Sequence, residues 1–354
     1  MKRIAWLPAH PAMGWASMNR CWLALQRQSA LHPVHDLAFS CPLELLAVEQ
    51  PEAPAWRRHL ARRLTYPLRV RSLHGVDAVH VLDHSFADLL MYVPKHFQKI
   101  VTVHDVIPLL DAAELSTAQV ARYRERLSWL HQADVLICVS EFTRRTLVEQ
   151  LKVEESKTVV LPNGVDLPIA KPAPLKLEAP RPWILIVGSN LERKNLRLVP
   201  DVLRHLMSRG IHPTLVRVGP PLKPELKSAI QVIIGQERLL ELGLVSDVQL
   251  ASAYASADVL LFPSMLEGFG LPVLEAMAHG CPVVCSNASS LPEVAGSAAL
   301  LFAPNDAASA AEHCVTALTH RAQLSILGLE RAQSFTWTAH WNQLCTLYRE
   351  SLAA

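Results

Sequence analysis

Short β-branched runs alternate along the chain with longer stretches whose apolar residues recur every three or four positions. That rhythm predicts parallel strands joined by crossover helices, an α/β fold. In the first half it predicts strands at Arg3–Leu7, Ala78–Leu82, Ile100–His104, Val135–Val139 and Thr158–Leu161, with helices near Ala16–Gln28, Thr117–Gln132 and Glu141–Leu151. In the second half strands are expected at Trp183–Val187, Thr214–Val218, Val259–Phe262 and Val283–Ser286. The helices there are expected near Leu196–Ser208, Pro224–Ile234, Asp247–Ala255, Pro272–His279 and Ala307–Thr319. A closing helix, Trp337–Leu352, sets Trp341, Leu344, Cys345, Tyr348 and Leu352 at helical spacing and should pack against another surface.

Between the halves, Pro162–Asp166 runs into the proline-rich LPIAKPAPLKLEAPRP, which reads as a linker. The expected division is 1–166, 167–334 and a closing segment 335–354. The 354 residues exceed the roughly 250–300 at which a single core stops growing, which supports two domains. Hydrophobic residues at 50% exclude a disordered chain, and a net charge of +2 lacks the basic excess of a nucleic-acid binder. The charge is uneven: residues 1–73 hold ten Lys and Arg against four Asp and Glu, so this part is positive by six and the remainder negative by four. No apolar run approaches the ~20 residues of a membrane span. Met1–Leu7 enters a strand without a signal-peptide core, so a cytoplasmic location is expected. Seven scattered cysteines without a C-x-x-C read as buried thiols, including Cys281 and Cys285 of CPVVC, since no second Cys or His pair stands by to complete a zinc site.

The chemistry concentrates in Pro263–Ala278, PSMLEGFGLPVLEAMA. A buried strand passes through a turn bearing Gly268 and Gly270 and opens a helix, with Pro272 expected at its first position. Such a junction aims unpaired N–H groups and a positive dipole end at one spot, which suits a diphosphate. Glu267 on the loop and Glu275, expected in the first helical turn, can accept hydrogen bonds from the hydroxyls of an attached sugar. Arg193 and Lys194, after the strand Trp183–Val187, would project at the carboxyl edge of the second sheet, where open α/β sheets bind ligands. His104, with Asp105, ends a strand of the first domain and would face the same cleft from the other side. His80 and His84 have no support beyond their strand.

The segment EGFGLPVLEAMAHGCPVVCSNASSLPEVAG resembles the E-x7-E region of the family 4 glycosyltransferases, which share the GT-B fold of two facing Rossmann-like domains. VGSNLERKN at Val187–Asn195 resembles the family's donor-phosphate loop, VTVHDVIPLL its His-bearing strand end, and VSEFTRRTL and LPNGVD its interdomain elements. The resemblance extends from about residue 77 to the final helix, which resembles the segment that crosses back to the N-terminal domain. It implies a retaining hexosyl transfer from a nucleotide-diphosphate sugar to a saccharide or lipid-linked saccharide. Gly188, Ser189, Arg193, Lys194, Gly268, Phe269, Gly270 and Leu271 would hold the donor, Glu275 its ribose, and Glu267 and His104 the hexose. HDVIPLL together with the Pro263–Ala278 segment looks most like bacterial mannosyltransferases of surface polysaccharide synthesis that use GDP-mannose, with UDP-sugars behind.

The sequence contains no Asp-x-Asp pair, so neither a metal nor another cofactor is expected. A dinucleotide oxidoreductase is disfavoured because LPAHPAMGWASMN carries a single glycine, Gly14, where G-x-G-x-x-G would stand. Two other readings remain: a GT-B sugar-nucleotide hydrolase or epimerase, and a non-catalytic nucleotide-sugar-binding protein. The intact acidic and basic positions oppose the latter. Finally, Trp56–Leu73 holds six arginines and no acid, with Trp56, Leu60 and Leu64 on one helical face and Arg57, Arg58, Arg62 and Arg63 mainly elsewhere. It reads as an interfacial helix for peripheral contact with anionic lipid on the inner membrane face, or else as a solvated basic face.

Overall fold

The computed structural model describes residues 1–13, 16–43, 54–111, 115–170 and 172–353; Gly14 lies outside them. The described residues form two six-stranded sheets, parallel throughout. The chain divides into two compact units, Met1–Asn163 with Trp337–Ala354, and Gly164–Thr336.

In the first unit β1 (Lys2–Leu7), β2 (Leu37–Ser40), β3 (Ala78–Val81), β4 (Gln98–Val103), β5 (Val135–Cys138) and β6 (Thr158–Val160) are ordered β2-β1-β3-β4-β5-β6. Ile4, Trp6, Ala78 and Ile100 meet Trp22, Trp341, Leu344 and Tyr348 on one face of the sheet, so the final helix, Trp337–Ser351, completes this unit's core. Trp6 Nε1 donates to the Tyr348 hydroxyl at 2.8 Å, which leaves that hydroxyl to donate to His80 Nδ1 at 2.6 Å. The other ring nitrogen of His80 then donates to Thr102 Oγ1 at 2.8 Å. The buried polar atoms of four elements are thus satisfied in one line, as a low-dielectric interior demands.

The second unit orders β7 (Trp183–Val187), β8 (Thr214–Val218), β9 (Leu239–Gly243), β10 (Val259–Phe262), β11 (Val283–Ser286) and β12 (Ala299–Phe302) as β12-β11-β10-β7-β8-β9. The helix Val199–Ser208 shows why the segments between strands coil: Val199, Val202, Leu203 and Leu206 repeat at helical spacing and bury against Ile184, Ile186 and Leu215. Each such side chain contributes about 1.5–3 kcal/mol by leaving water. Strand order reverses between β7 and β10, and in open α/β sheets the crevice at the carboxyl ends of such a pair is where ligands bind.

The middle strands, and the edge strand β6, stand where the alternation placed them, within two residues at each end. Three strands escaped that reading, β2, β9 and β12, and all three are sheet edges. LAFS, LLELG and ALLF contain no β-branched residue, because an edge strand is not required to fill both sides of a buried layer. The helix Arg321–Gln333 also escaped. The helix Leu271–Ala278 begins at Leu271 with Gly270 as its cap, so Pro272 is its second residue and not its first. Glu275 accordingly starts the second turn.

The basic segment is helical from Ala55 to Arg71, but Ala61–Thr65 winds as a π-helix between two α-helical pieces, Ala55–Leu60 and Tyr66–Arg71. Tyr66 and Val70 anchor it in the core, Tyr66 through a 2.8 Å hydrogen bond to the Pro8 carbonyl. Trp56, Leu60, Leu64 and Leu68 stay exposed. Arg62 departs from the expected outward basic set. It turns onto the Phe86 ring, donates to the Ser85 carbonyl and pairs with Asp88 at 3.6 Å.

Candidate functional site

The loops after β7 and β10 meet at the reversal point of the second sheet. After β7 the chain makes a 3-10 turn, Glu192–Lys194, closed by Asn195 in the left-handed region (φ 53°), whose side-chain amide donates to the Pro304 carbonyl at 2.7 Å. This turn delivers Arg193 and Lys194 to the loop that follows β10. Lys194 Nζ donates to Glu267 Oε1 at 2.5 Å, and Arg193 Nη1 donates to Glu267 Oε2 at 3.2 Å and to the Leu266 carbonyl at 2.8 Å. Ser264 Oγ adds a 2.6 Å bond to Glu267 Oε1. The basic pair therefore sits on a turn of its own, not at the start of the helix Val199–Ser208.

Glu267 is buried at 7% exposure. Burial alone would raise its carboxyl, yet the charges of Lys194 and Arg193, with the hydrogen bonds from Lys194 and Ser264, hold it below its ordinary value. Burial pulls the Lys194 ammonium down, with Glu267 opposing. Two cations share one carboxylate, leaving a local excess of positive charge beside the opening of the helix Leu271–Ala278.

Gly188, with φ 130°, opens the first loop, and the stem of Lys194 lies 3.7 Å from where a Cβ would stand on it. Gly270 caps the second-loop helix at φ 107°, where a Cβ would come within 2.7 Å of Leu291, so glycine is required on both grounds. Phe269 packs edge-on against Phe335 with ring centres 6.1 Å apart, fixing the turn between Gly268 and Gly270. Leu271 and Ser189 are half-buried at the rims of the two loops. Glu275 accepts a 2.9 Å hydrogen bond from the buried Tyr254 hydroxyl.

His104 belongs to the first unit. Its Nε2 donates to the Leu82 carbonyl at 2.9 Å, so in the neutral ring Nδ1 is an acceptor, and this buried atom has no partner among the described residues. Burial lowers the proton affinity of the ring. His104 lines a small cavity of about 20 Å³ shared with Asp83, Thr102, Trp22 and His340. His80 is absorbed by the Tyr348 line, and His84 bonds the Tyr123 hydroxyl at 3.0 Å and the backbone N–H of His104 at 3.3 Å.

Several residues of the second-unit site carried no signal in the sequence reading. Ser289 Oγ accepts the Glu267 N–H at 2.9 Å, and Ser290 Oγ bonds the Glu267 and Phe269 carbonyls at 2.9 and 2.8 Å. The serine pair in SNASSLP could have been read as a brace, since hydroxyls following a buried strand commonly satisfy loop backbone. Among the described residues no cluster of three His, Cys, Asp or Glu side chains stands at metal-binding spacing. Cys281 and Cys285 are buried, and burial pushes both thiols up to about 12.

Comparison with known proteins bears on the family and the fold. Residues 14–168 match the family model described as Glycosyltransferase Family 4, and residues 181–320 match Glycosyl transferases group 1. O-antigen chain mannosyltransferase B of Escherichia coli is 30% identical over 283 residues, covering 75% of this chain and 74% of that protein. MMP alpha-(1->4)-mannosyltransferase of Mycolicibacterium hassiacum is 28% identical over 323 residues, covering 84% and 77%. Sucrose-phosphate synthase from Thermosynechococcus elongatus superposes over all of both chains with a TM-score of 0.78 at 22% identity. HepE of Anabaena in complex with UDP-glucose does so over 99% of this chain and 100% of its own, at 0.73 and 16%. The two Rossmann-like units are those of the GT-B fold, and with both halves matched in order the chain belongs to the family 4 glycosyltransferases.

Proposed function

We propose that this glycosyltransferase moves mannose from a nucleotide-diphosphate sugar, GDP-mannose in first place, to a hydroxyl of a saccharide or lipid-linked saccharide in bacterial surface polysaccharide synthesis. The observation that carries the reading is the convergence of Arg193 and Lys194 on Glu267 at the reversal point of the second sheet, next to the start of the helix Leu271–Ala278, which Gly270 caps without a side-chain hydrogen bond. In the transfer the bond from the anomeric carbon to the donor phosphate breaks and one to the acceptor oxygen forms. Negative charge gathers on the departing diphosphate, and the two cations with the positive end of the helix Leu271–Ala278 would stabilise it, the kind of term that often dominates catalysis. Glu267 would hold hexose hydroxyls, Glu275 the ribose and His104 the hexose.

The retaining course is assigned to attack on the face the diphosphate leaves, without a protein nucleophile, the acceptor proton passing to the departing phosphate oxygen. No metal takes part in this scheme. The test is transfer from a panel of GDP- and UDP-sugars to saccharide acceptors, with product configuration read by NMR. An inverted product would overturn the mechanism, a UDP-sugar preference the donor, and loss of turnover in EDTA restored by Mg²⁺ the metal-free scheme. Donor hydrolysis unchanged by any acceptor would favour a hydrolase.

The acceptor side is assigned to a membrane surface. No helix of the described residues is long and apolar enough to cross a bilayer. The exposed Trp56, Leu60, Leu64 and Leu68, flanked by the exposed Arg57, Arg63 and Arg71, instead form a stripe suited to lying on anionic lipid.

A further inference from the structure

Arg217 is the charged residue of β8 in TLVRV, and none of it is exposed. Its guanidinium reaches past the strand end: Nη1 donates to the Val218 carbonyl at 2.6 Å, and Nη2 donates to the Gly188 carbonyl at 2.5 Å and to Asn190 Oδ1 at 3.3 Å. Asn190 in turn donates to the Pro221 carbonyl at 2.5 Å, tying the loops after β7 and β8 together. Gly219, at φ 139°, makes room for this. A Cβ there would lie 2.0 Å from the Gly188 oxygen and 2.9 Å from both terminal guanidinium nitrogens. Gly188 is thus held between two cationic side chains, its carbonyl by Arg217 and its α-carbon against the Lys194 stem.

Backbone carbonyls at the carboxyl edge of a parallel sheet present partial negative charge where an anion would sit. A planar, forked guanidinium can bind two of them at once. In a trans peptide the C=O and the next N–H point in opposite directions, so fixing the Gly188 oxygen inward directs the Ser189 N–H outward. Burial draws the guanidinium down to about 10, so it keeps its charge at neutral pH.

We propose that Arg217 is a positioning residue for the donor diphosphate. It holds the Gly188–Asn190 turn so that the turn's N–H groups face the anion, and it sets a buried positive charge behind them. This rests on the donor site proposed above, which Arg217 serves without touching the donor.

The test is calorimetric affinity for GDP and UDP, with steady-state kinetics, in Arg217→Lys and Asn190→Ala. Lysine keeps the charge but cannot span both carbonyls. Arg217→Lys is expected to weaken nucleoside-diphosphate binding and raise the donor KM roughly tenfold, with kcat and the acceptor KM little changed, the effect of a lost charged hydrogen-bond set. Asn190→Ala, which keeps the guanidinium and removes its loop contact, is expected to weaken binding about threefold; it carries the test if Arg217→Lys does not fold. Folded variants with wild-type nucleotide affinity would overturn the role of Arg217 alone. A wild-type protein that binds no nucleoside diphosphate would overturn the donor-site reading beneath it.

Discussion

Lys194, delivered by the loop after β7, and Glu267, on the loop after β10, meet in a 2.5 Å ion pair across the reversal point of the second sheet. Breaking a buried pair costs more than the pair contributes, because a charge is stranded. Arg193 remains beside Glu267 when Lys194 is removed, so Lys194→Ala is expected to lower stability by roughly 1–3 kcal/mol while cutting kcat/KM at least about a hundredfold. Chemical denaturation and steady-state kinetics check both. Near-wild-type turnover would remove Lys194 from the site.

Tyr254 offers a milder perturbation. Its hydroxyl orients Glu275 at 2.9 Å, and its ring is buried and stacked on His279 with centres 5.9 Å apart. Tyr254→Phe keeps the ring and deletes one hydrogen bond, so it is expected to lower stability by about 1 kcal/mol, a few degrees in Tm, and, through the loosened Glu275, to raise donor KM severalfold. An unchanged KM would mean that Glu275 needs no orienting for donor binding.

Acid is expected to weaken the first unit through two buried histidines. Burial lowers His80 to about 3 and His340 to about 4. Their folded values lie below the unfolded one near 6.5, so the unfolded chain takes up protons first. Stability is complete above that pH and is lost as pH falls toward the folded values, by up to about 1.4 kcal/mol per unit for each histidine. Tm measured from pH 7.5 to 4.5 should fall below pH 6.5, and less steeply in His80→Gln. A flat profile from 6.5 to 5 would contradict neutral burial of these rings.

The basic helix separates two roles that its sequence merges. Trp56→Ser with Leu64→Ser, or Arg57→Gln with Arg63→Gln, is expected to abolish sedimentation with phosphatidylglycerol vesicles at low salt, since each nearby cation adds about 1 kcal/mol of attraction. Arg62→Gln is expected instead to lower Tm and leave vesicle binding in place, because Arg62 is spent on Phe86, Ser85 and Asp88. A wild-type protein that ignores these vesicles would reduce the segment to a solvated face.

The parts legible in the sequence were those where one force dominates. Central strands such as Trp183–Val187 are buried on both faces and read as continuous apolar runs. The glycines of EGFG and the paired basic residues announce an anion site because few other uses require them. Arg217 was opaque for the opposite reason: in TLVRV it looks like one charge in a strand, and its meaning depends on Gly188 and Asn190, 29 and 27 residues away. Arg62 is similar, as only the fold brings Phe86 under its guanidinium.

The π-helical turn at Ala61–Thr65 has a geometric consequence for the stripe beside it. Positions four apart on an α-helix advance by about 40° around the axis, so three such steps, from Trp56 to Leu68, would spread the apolar side chains over about 120°. A wider turn in the middle takes more residues per revolution and rotates the later pair back toward the earlier one. The four side chains then run as a keel along the helix instead of winding around it, and a flat medium meets all of them at nearly one depth.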